Sequence, residues 1–171
     1  YQLKDCTVLQ HEIHLTDETP IVCKQYALTP QERQEAAKQI REMIEAGILE
    51  ENPNAKWGFP IILVKKKDSS LRMVVEFRLL NNRTIVEGSV PHFTVQELQQ
   101  TLGFKGVKIL SSLDLRSGYN QILMKESDRN YCTIRLAGSP SVSFRRMPMG
   151  LAGAPKSFQR IMDIVISGLS Y

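Results

Sequence analysis

Three observations predict an α+β fold. Two segments open with helix capping boxes, Thr29-Pro30-Gln31-Glu32 and Thr94-Val95-Gln96-Glu97. In a capping box the threonine hydroxyl and the glutamate carboxylate satisfy each other's backbone amides. Two β-rich runs, Trp57 to Lys67 and Leu71 to Asn81, flank Asp68-Ser69-Ser70 in the pattern of a hairpin. An apolar run from Val107 to Leu115 is too short for a helix and reads as a buried strand with Asp114 near its exit. The expected arrangement is a small antiparallel sheet carrying Asp114, backed by helices starting at Thr94 and Pro155, with the hairpin standing apart.

Composition sets the outer bounds. At 171 residues the chain is one ordinary domain or two small packed lobes. A net charge of +4 permits a polyanionic partner without demanding one. Cys6, Cys23 and Cys132 are odd in number and far apart, with no zinc-ligand spacing. They read as reduced thiols of an intracellular protein, and a disulfide scaffold is excluded. His11, His14 and His92 are not expected to be metal ligands, and His11 and His14 read as ordinary surface histidines. His11 and His14 are three apart, which places them on opposite faces of an extended segment and argues against a shared metal. No secretory signal or membrane-length apolar stretch is present, so no membrane association is expected. The chain opens on tyrosine, which suggests a piece of a longer polypeptide.

Taken in order, Ile13 and Leu15 alternate with Glu12 and His14 at the period of a half-buried strand, and Pro20-Ile21-Val22 extends beyond a turn at Thr16-Asp17-Glu18. Behind Thr29, the residues Ala36, Ile40, Met43 and Ile44 form one apolar stripe, and Gly47 closes the helix. Asn52 to Lys56 is a loop. Lys65, Lys66, Lys67 and Arg72 surround the hairpin turn. They are expected to face solvent, either as a solvated charged hairpin that discourages edge pairing or as a phosphate clamp that dominates any nucleic-acid binding, because a flexible basic hairpin can close over phosphates after they enter. Behind Thr94, Leu98 and Leu102 make an apolar face that Gly103 ends. A polar turn spans Lys125 to Asn130. Tyr131 to Leu136 and Val142 to Met147 read as a second hairpin around Ala137-Gly138-Ser139-Pro140. Met147 to Pro155 is a glycine-rich passage into a final helix, whose buried face would be Phe158, Ile161, Met162, Val165 and Leu169.

An isolated Leu-Asp-Leu is usually a cap or a turn aspartate, and a buried carboxylate needs a cation or donors. The flanking blocks change that reading. Leu113-Asp114-Leu115-Arg116-Ser117-Gly118-Tyr119-Asn120-Gln121-Ile122 resembles the first catalytic-acid motif of reverse transcriptases of Ty3/gypsy-type LTR retrotransposons and their retroviral relatives. Val64 to Asn81 resembles the fingers hairpin of that family, Met147-Pro148-Met149-Gly150-Leu151 its nucleotide-pocket loop, and Ala154-Pro155-Lys156-Ser157-Phe158-Gln159 the start of the following palm helix. The resemblance covers nearly the whole chain. It implies reverse-transcriptase-like fingers over 1–90, with the basic hairpin at 57–81, and a partial palm over 91–171.

The same resemblance implies site roles. Asp114 would be the catalytic carboxylate and, with the backbone carbonyl of Leu115, would hold Mg²⁺. Carboxylates on rigid strands suit a cation that demands close oxygen ligands. Lys66, Arg72, Leu115, Arg116, Tyr119 and Met149 would contact the incoming nucleotide, with Tyr119 under the sugar excluding a 2′-hydroxyl. Lys65, Lys67, Arg78 and Gly150 would contact nucleic acid. Glu76 stands where the family usually has Asp, and Met149 where many relatives have Phe or Gln. Implied partners are an RNA or DNA template-primer and deoxynucleoside triphosphates.

The family's second acid motif, a paired Asp on a later hairpin, has no counterpart, because no Asp-Asp occurs in the 171 residues. Asp128 and Asp163 match no catalytic position. The chain is therefore expected to be the N-terminal part of an RNA-directed DNA polymerase, inactive by itself. The competing expectation is a domesticated, truncated retroelement domain that binds a protein partner, RNA or a second copy of itself without catalysis. Residues 1–171 with Mg²⁺ and deoxynucleotides should fail to extend a primer, since losing the partner carboxylates costs roughly 4 kcal/mol or more, about a thousandfold in rate. Extension that disappears in Asp114→Asn would overturn this expectation.

Overall fold

The computed structural model describes residues 6–86, 88, 94–104, 108, 109, 112 and 114–167. Strand β1 (Cys6–His11) leads by an extended path to helix α1 (Pro30–Glu45). Then come β2 (Leu49–Glu51), the hairpin β3 (Ile61–Lys65) and β4 (Leu71–Val75), the single turn α2 (Arg78–Asn81) and α3 (Val95–Phe104). A 3-10 turn at Gly118–Gln121 precedes β5 (Ile122–Met124), and another at Glu126–Tyr131 precedes β6 (Thr133–Ile134) and β7 (Val142–Phe144). Helix α4 (Ala154–Ile166) closes the described chain. The α+β class stands.

Both predicted capping boxes form. Thr29 Oγ1 accepts from the Glu32 amide at 3.2 Å and the Glu32 carboxylate accepts from the Thr29 amide at 2.8 Å; Thr94 and Glu97 repeat the pattern at the same distances. The Glu32 and Glu97 carboxyls are held below the usual range by these threonine hydrogen bonds. Helix α1 ends as its glycine predicts. Gly47 sits at φ +67°, its amide donates to the Ile44 carbonyl, and the Ile48 amide reaches back to Met43. This pair of bonds is the Schellman closure.

The strands form three small sheets. β1 pairs parallel with β5, β2-β7-β6 form an antiparallel sheet, and β3 pairs with β4. Backbone bonds join them: the Met124 amide to the Arg145 carbonyl at 2.9 Å, Met147 to Ile122 at 2.8 Å and Phe59 to Thr133 at 2.8 Å. The core runs through aromatic contacts, from Tyr131 to Trp57 to Phe59 to Phe77 to Phe144, with centroids 5.2 to 6.3 Å apart. Aromatic pairs add about 0.5–1.5 kcal/mol each beyond the area they bury. Arg146 is buried in this frame. Its guanidinium donates to the Gly47 carbonyl behind α1 and to the Asn120 carbonyl, each at 3.1 Å.

A two-stranded hairpin is marginal by itself. Here two glutamines act as its neighbouring strands. Gln25 both donates to and accepts from the backbone of Ile61 at 2.9 Å on the outer edge of β3. Gln39 of α1 donates to the Leu71 carbonyl at 2.8 Å and accepts from the Met73 amide at 3.0 Å on the outer edge of β4. The hairpin base is thereby anchored, and Lys65, Lys66, Lys67 and Arg72 are exposed as expected.

Several expectations are corrected. The first strand lies at 6–11, not 12–15; Leu15 makes a single bridge to Thr84. The second hairpin run stops at Val75, because the chain turns into α2 to bury Phe77 and Leu80. Gly103 lies inside the last turn of α3. Tyr131 belongs to a 3-10 turn, and the strands around 137–140 shorten to 133–134 and 142–144. Val165 of α4 is exposed, with Ile161 the buried residue of that face. Of the run 107–115, residues 108, 109, 112, 114 and 115 are described and lie in no strand: Ile109 is 84% exposed, and no described strand pairs with Asp114 or Leu115. A strand needs a ladder partner to satisfy its amides. The expectations for His92, Val107, Leu113 and Leu169, and for the side chains of Leu98 and Leu102, lie outside the described residues.

His11 is also corrected. It is 2% exposed, and its Nδ1 lies 2.7 Å from the Ser157 hydroxyl. Burial pushes its imidazole down to about 4, against the opposing pull of Asp128 and Glu12. The folded state therefore resists a proton that the unfolded chain takes up below pH 6.5. Stability from this site is fully present above pH 6.5 and is lost as the pH falls toward 4. The loss should reach about 3 kcal/mol. Urea denaturation across that window should show the slope, and His11→Gln should flatten it.

Candidate functional site

Asp114 is exposed on irregular backbone, followed by Leu115 and Arg116. Ser117 takes a left-handed φ of +50°, which turns the chain into the 3-10 turn at Gly118. The Gly118 amide donates to the Leu115 carbonyl at 3.2 Å, and the Gln121 side chain donates to the Arg116 carbonyl at 2.9 Å. Tyr119 is thereby held half-buried, its ring edge-on to Phe158 with centroids 5.2 Å apart.

Asp114, Leu115, Gly118, Tyr119, Met149, Phe158 and Met162 line one cleft of about 310 Å³. A second cleft of similar size lies on the other side of Met149, lined by Gln39, Met43, Arg72, Ser117 and Asn120 among others. Met149 borders both. The Arg72 guanidinium donates to the Met149 sulfur, so the hairpin reaches back to the passage that enters α4. That passage is fixed from below. Asn81 donates to the Gly150 carbonyl at 2.7 Å and accepts from the Ala152 amide at 2.9 Å. Gly150 sits at φ +92°, a conformation that any side chain would strain.

The sequence-predicted residues divide accordingly. Asp114, Leu115, Tyr119 and Met149 share one cleft, and Arg72 touches its border. Arg116 is exposed beside it, and Gly150 lies in the adjoining passage. Lys65, Lys66 and Lys67 stand on the exposed hairpin tip. Arg78 is exposed but ion-paired with Glu76 at 2.8 Å. That bond holds the Glu76 carboxyl below the usual range. Sequence reasoning missed Gly118, Phe158 and Met162 as cleft residues and Asn81 as the brace. Phe158 and Met162, one helical turn apart, carried a signal that was read only as core packing.

Asp114 is the one acidic residue lining this cleft, and among the described residues no three His, Cys, Asp or Glu side chains come together to hold a metal ion. The described residues by themselves do not make a metal centre.

The comparisons with known proteins agree with this geometry. The family described as "Reverse transcriptase (RNA-dependent DNA polymerase)" matches residues 64–171. The Pol polyprotein of transposon opus from Drosophila melanogaster is 34% identical over 94% of this chain, which spans 16% of that polyprotein. The gypsy Pol polyprotein of the same organism is 28% identical over 94% of the chain, which spans 16% of it. The Tf2-3 polyprotein of Schizosaccharomyces pombe is 28% identical over 92%, and the chain spans 12% of it. A crystal structure of the prototype foamy virus protease-reverse transcriptase (a CSH mutant) superposes with a TM-score of 0.79 at 20% identity, over 99% of this chain and 22% of that one. The chain belongs to the reverse transcriptase family. Its sequence relatives place it in the branch carried by LTR retrotransposons. The family implies a divalent metal cation and template-primer binding in general. No helix among the described residues is long and apolar enough to cross a membrane.

Gly118 tests how the cleft is built. A Cβ there would stand 2.9 Å from Phe158 Cε2 and 3.1 Å from Cζ. Gly118→Ala should force the ring, and Tyr119 with it, out of place, at a cost of about 1–3 kcal/mol. Unchanged stability in urea denaturation would show that Phe158 yields freely.

Proposed function

We propose that this chain supplies the nucleotide-entry region and first catalytic acid of an RNA-dependent DNA polymerase encoded in a retrotransposon Pol polyprotein. The observation that carries the reading is the single cleft shared by Asp114, Tyr119 and Met149, with Arg72 of the basic hairpin touching its border. The division into fingers over 1–90 and partial palm over 91–171 belongs to the same proposal, as does an intracellular setting. The free thiols of Cys6, Cys23 and Cys132 support that setting.

In this reading an incoming deoxynucleoside triphosphate enters between the hairpin and the turn after Asp114. Lys66 and Arg72 meet its phosphates as cations on a hairpin with an anchored base and an exposed tip. Charge-assisted hydrogen bonds of this kind are about twice as strong as neutral ones. Arg116, exposed beside the cleft, is a further cation for the nucleotide. The Tyr119 ring, braced edge-on by Phe158, forms a rigid floor under the sugar and leaves no room for a 2′-hydroxyl. Met149 shapes the side facing the base. Lys65, Lys67, Arg78 and Gly150 face the template strand. Mg²⁺ is the cation that best suits the Asp114 carboxylate and the Leu115 carbonyl. Both are oxygen donors, and further ligands come from outside the described residues. The non-catalytic binding-module reading is not favoured, since the family match spans the hairpin, the Asp114 motif and α4 together.

Sugar discrimination is the direct test. In the complete polymerase, Tyr119→Ala should lower the preference for deoxy- over ribonucleotides tenfold or more, about 1.4 kcal/mol in relative kcat/KM. Unchanged discrimination in single-nucleotide incorporation kinetics would overturn the role of Tyr119.

A further inference from the structure

Helix α4 has two working faces. Phe158 and Met162 line the Asp114 cleft. Lys156 and Arg160 each lie two residues earlier, about 200° around the helix, and so project from the opposite side. There they line a separate cleft of about 270 Å³ between the end of β1, the segment at Ile85 and Val86, and the first turns of α4.

Among the described residues lining this cleft, the titratable side chains are Lys156, Arg160, Glu12, His11 and His14. Lys156 and Arg160 are cationic. Glu12 is the opposing charge, but its carboxylate is bound by Lys125 at 3.0 Å and lies 3.8 Å from His14. Lys156 Nζ is 3.4 Å from where a Cβ would stand on Gly88, which brings the amine toward that glycine. The floor is His11, 2% exposed. Its Nδ1 is held by Ser157 Oγ at 2.7 Å, and its Nε2 has no hydrogen-bond partner among the described residues. The Cε1–Nε2 edge faces Gly153, where a Cβ would stand 3.2 Å from Cε1 and 3.9 Å from Nε2. That lack of a side chain keeps the edge open to the cleft. In the tautomer in which the Ser157 hydroxyl donates to Nδ1, Nε2 carries the hydrogen and is the donor on the side of the cleft. The cleft also lies beside the uncapped N-terminus of a 13-residue helix, where the dipole favours an anion.

We propose that this cleft binds a phosphodiester of a nucleic-acid strand, with Lys156 and Arg160 as cationic walls and His11 Nε2 as a neutral donor at the floor. The site rests on the nucleic-acid-binding reading above but lies on the other side of α4 from the nucleotide cleft. It would anchor the strand at a second point, independent of the basic hairpin. His11 stays uncharged at neutral pH because burial disfavours its protonated form, so the floor donates a hydrogen bond without adding charge.

The test uses the full protein and a single-stranded 12-mer oligonucleotide, with affinity measured by fluorescence anisotropy over a range of salt. Each phosphate neutralised on a single strand contributes about 0.7 to the slope of log affinity against log salt. Lys156→Ala/Arg160→Ala should therefore lower that slope by about 0.7, and Lys156→Arg/Arg160→Lys should restore it. His11 supplies a local readout, because its side-chain nitrogen resonances should shift when the oligonucleotide binds wild type and should not shift in the double alanine variant. Wild-type affinity and slope in the double variant, with binding still reduced by neutralising Lys65, Lys66 and Lys67, would overturn this site and leave the nucleic-acid reading intact. A His11 shift produced by inorganic phosphate but not by the oligonucleotide would assign the cleft to a free anion and overturn the strand. If wild type binds no oligonucleotide, both readings fall.

Discussion

The buried guanidinium of Arg146 is the constraint on which the site depends. It joins the carbonyl behind helix α1 to the carbonyl of Asn120, one residue past Tyr119. A buried cation is costly unless its donors are met. Helix α1 presents the electronegative end of its dipole at that point, which helps to meet the charge. The consequence is positional. Helix α1 carries Gln39, and Gln39 holds the edge of β4, so the basic hairpin and the turn bearing Tyr119 are referenced to the same buried group. The backbone repeats the link, since the Arg145 amide also donates to the Ile48 carbonyl, at 2.9 Å.

The two edge glutamines explain how a hairpin can be fixed at its base and exposed at its tip. Each supplies one donor and one acceptor to a strand edge that would otherwise present unpaired groups. Beyond Lys65 and Leu71 the ladder ends, and the turn from Lys66 to Ser70 is held by local bonds, including the Lys66 amide to the Ser70 carbonyl at 2.8 Å and the Ser70 hydroxyl to the Asp68 carboxylate at 2.6 Å. Segments with few buried contacts are the ones that open at low free energy. A hairpin built this way can close over a ligand without disturbing the core that Trp57, Phe59 and Phe77 form below it.

Helix α4 shows why residue spacing alone does not assign function. Its amphipathic pattern is clear in the sequence, and its buried side holds Ile161. The same helix separates two clefts, one lined by Phe158 and Met162 and one by Lys156, Ser157 and Arg160. Gly118 and Gly153 lie against these two sides, and in each case the missing side chain permits a close approach, by Phe158 and by His11 respectively. The clefts exist because the ring neighbours have room to pack.

Local rules decided much of this protein. The capping boxes at Thr29 and Thr94, the left-handed closure at Gly47, the basic hairpin and the α+β class follow from short-range chemistry, in which the interacting groups are three to five residues apart. The motif around Asp114 and its order relative to the hairpin and Met149 were equally legible and carried the family. The partners of buried polar groups were not legible, because they are distant in sequence. His11 and Ser157 are separated by 146 residues, Ile13 and Asp128 by 115, and Arg146 and Gly47 by 99. A histidine in an alternating polar pattern looks like a surface residue until the helix that covers it is in place. Ile109, in the apolar run before Asp114, likewise has the composition of a buried strand residue but is exposed, because burial is decided by packing partners that only the tertiary structure supplies.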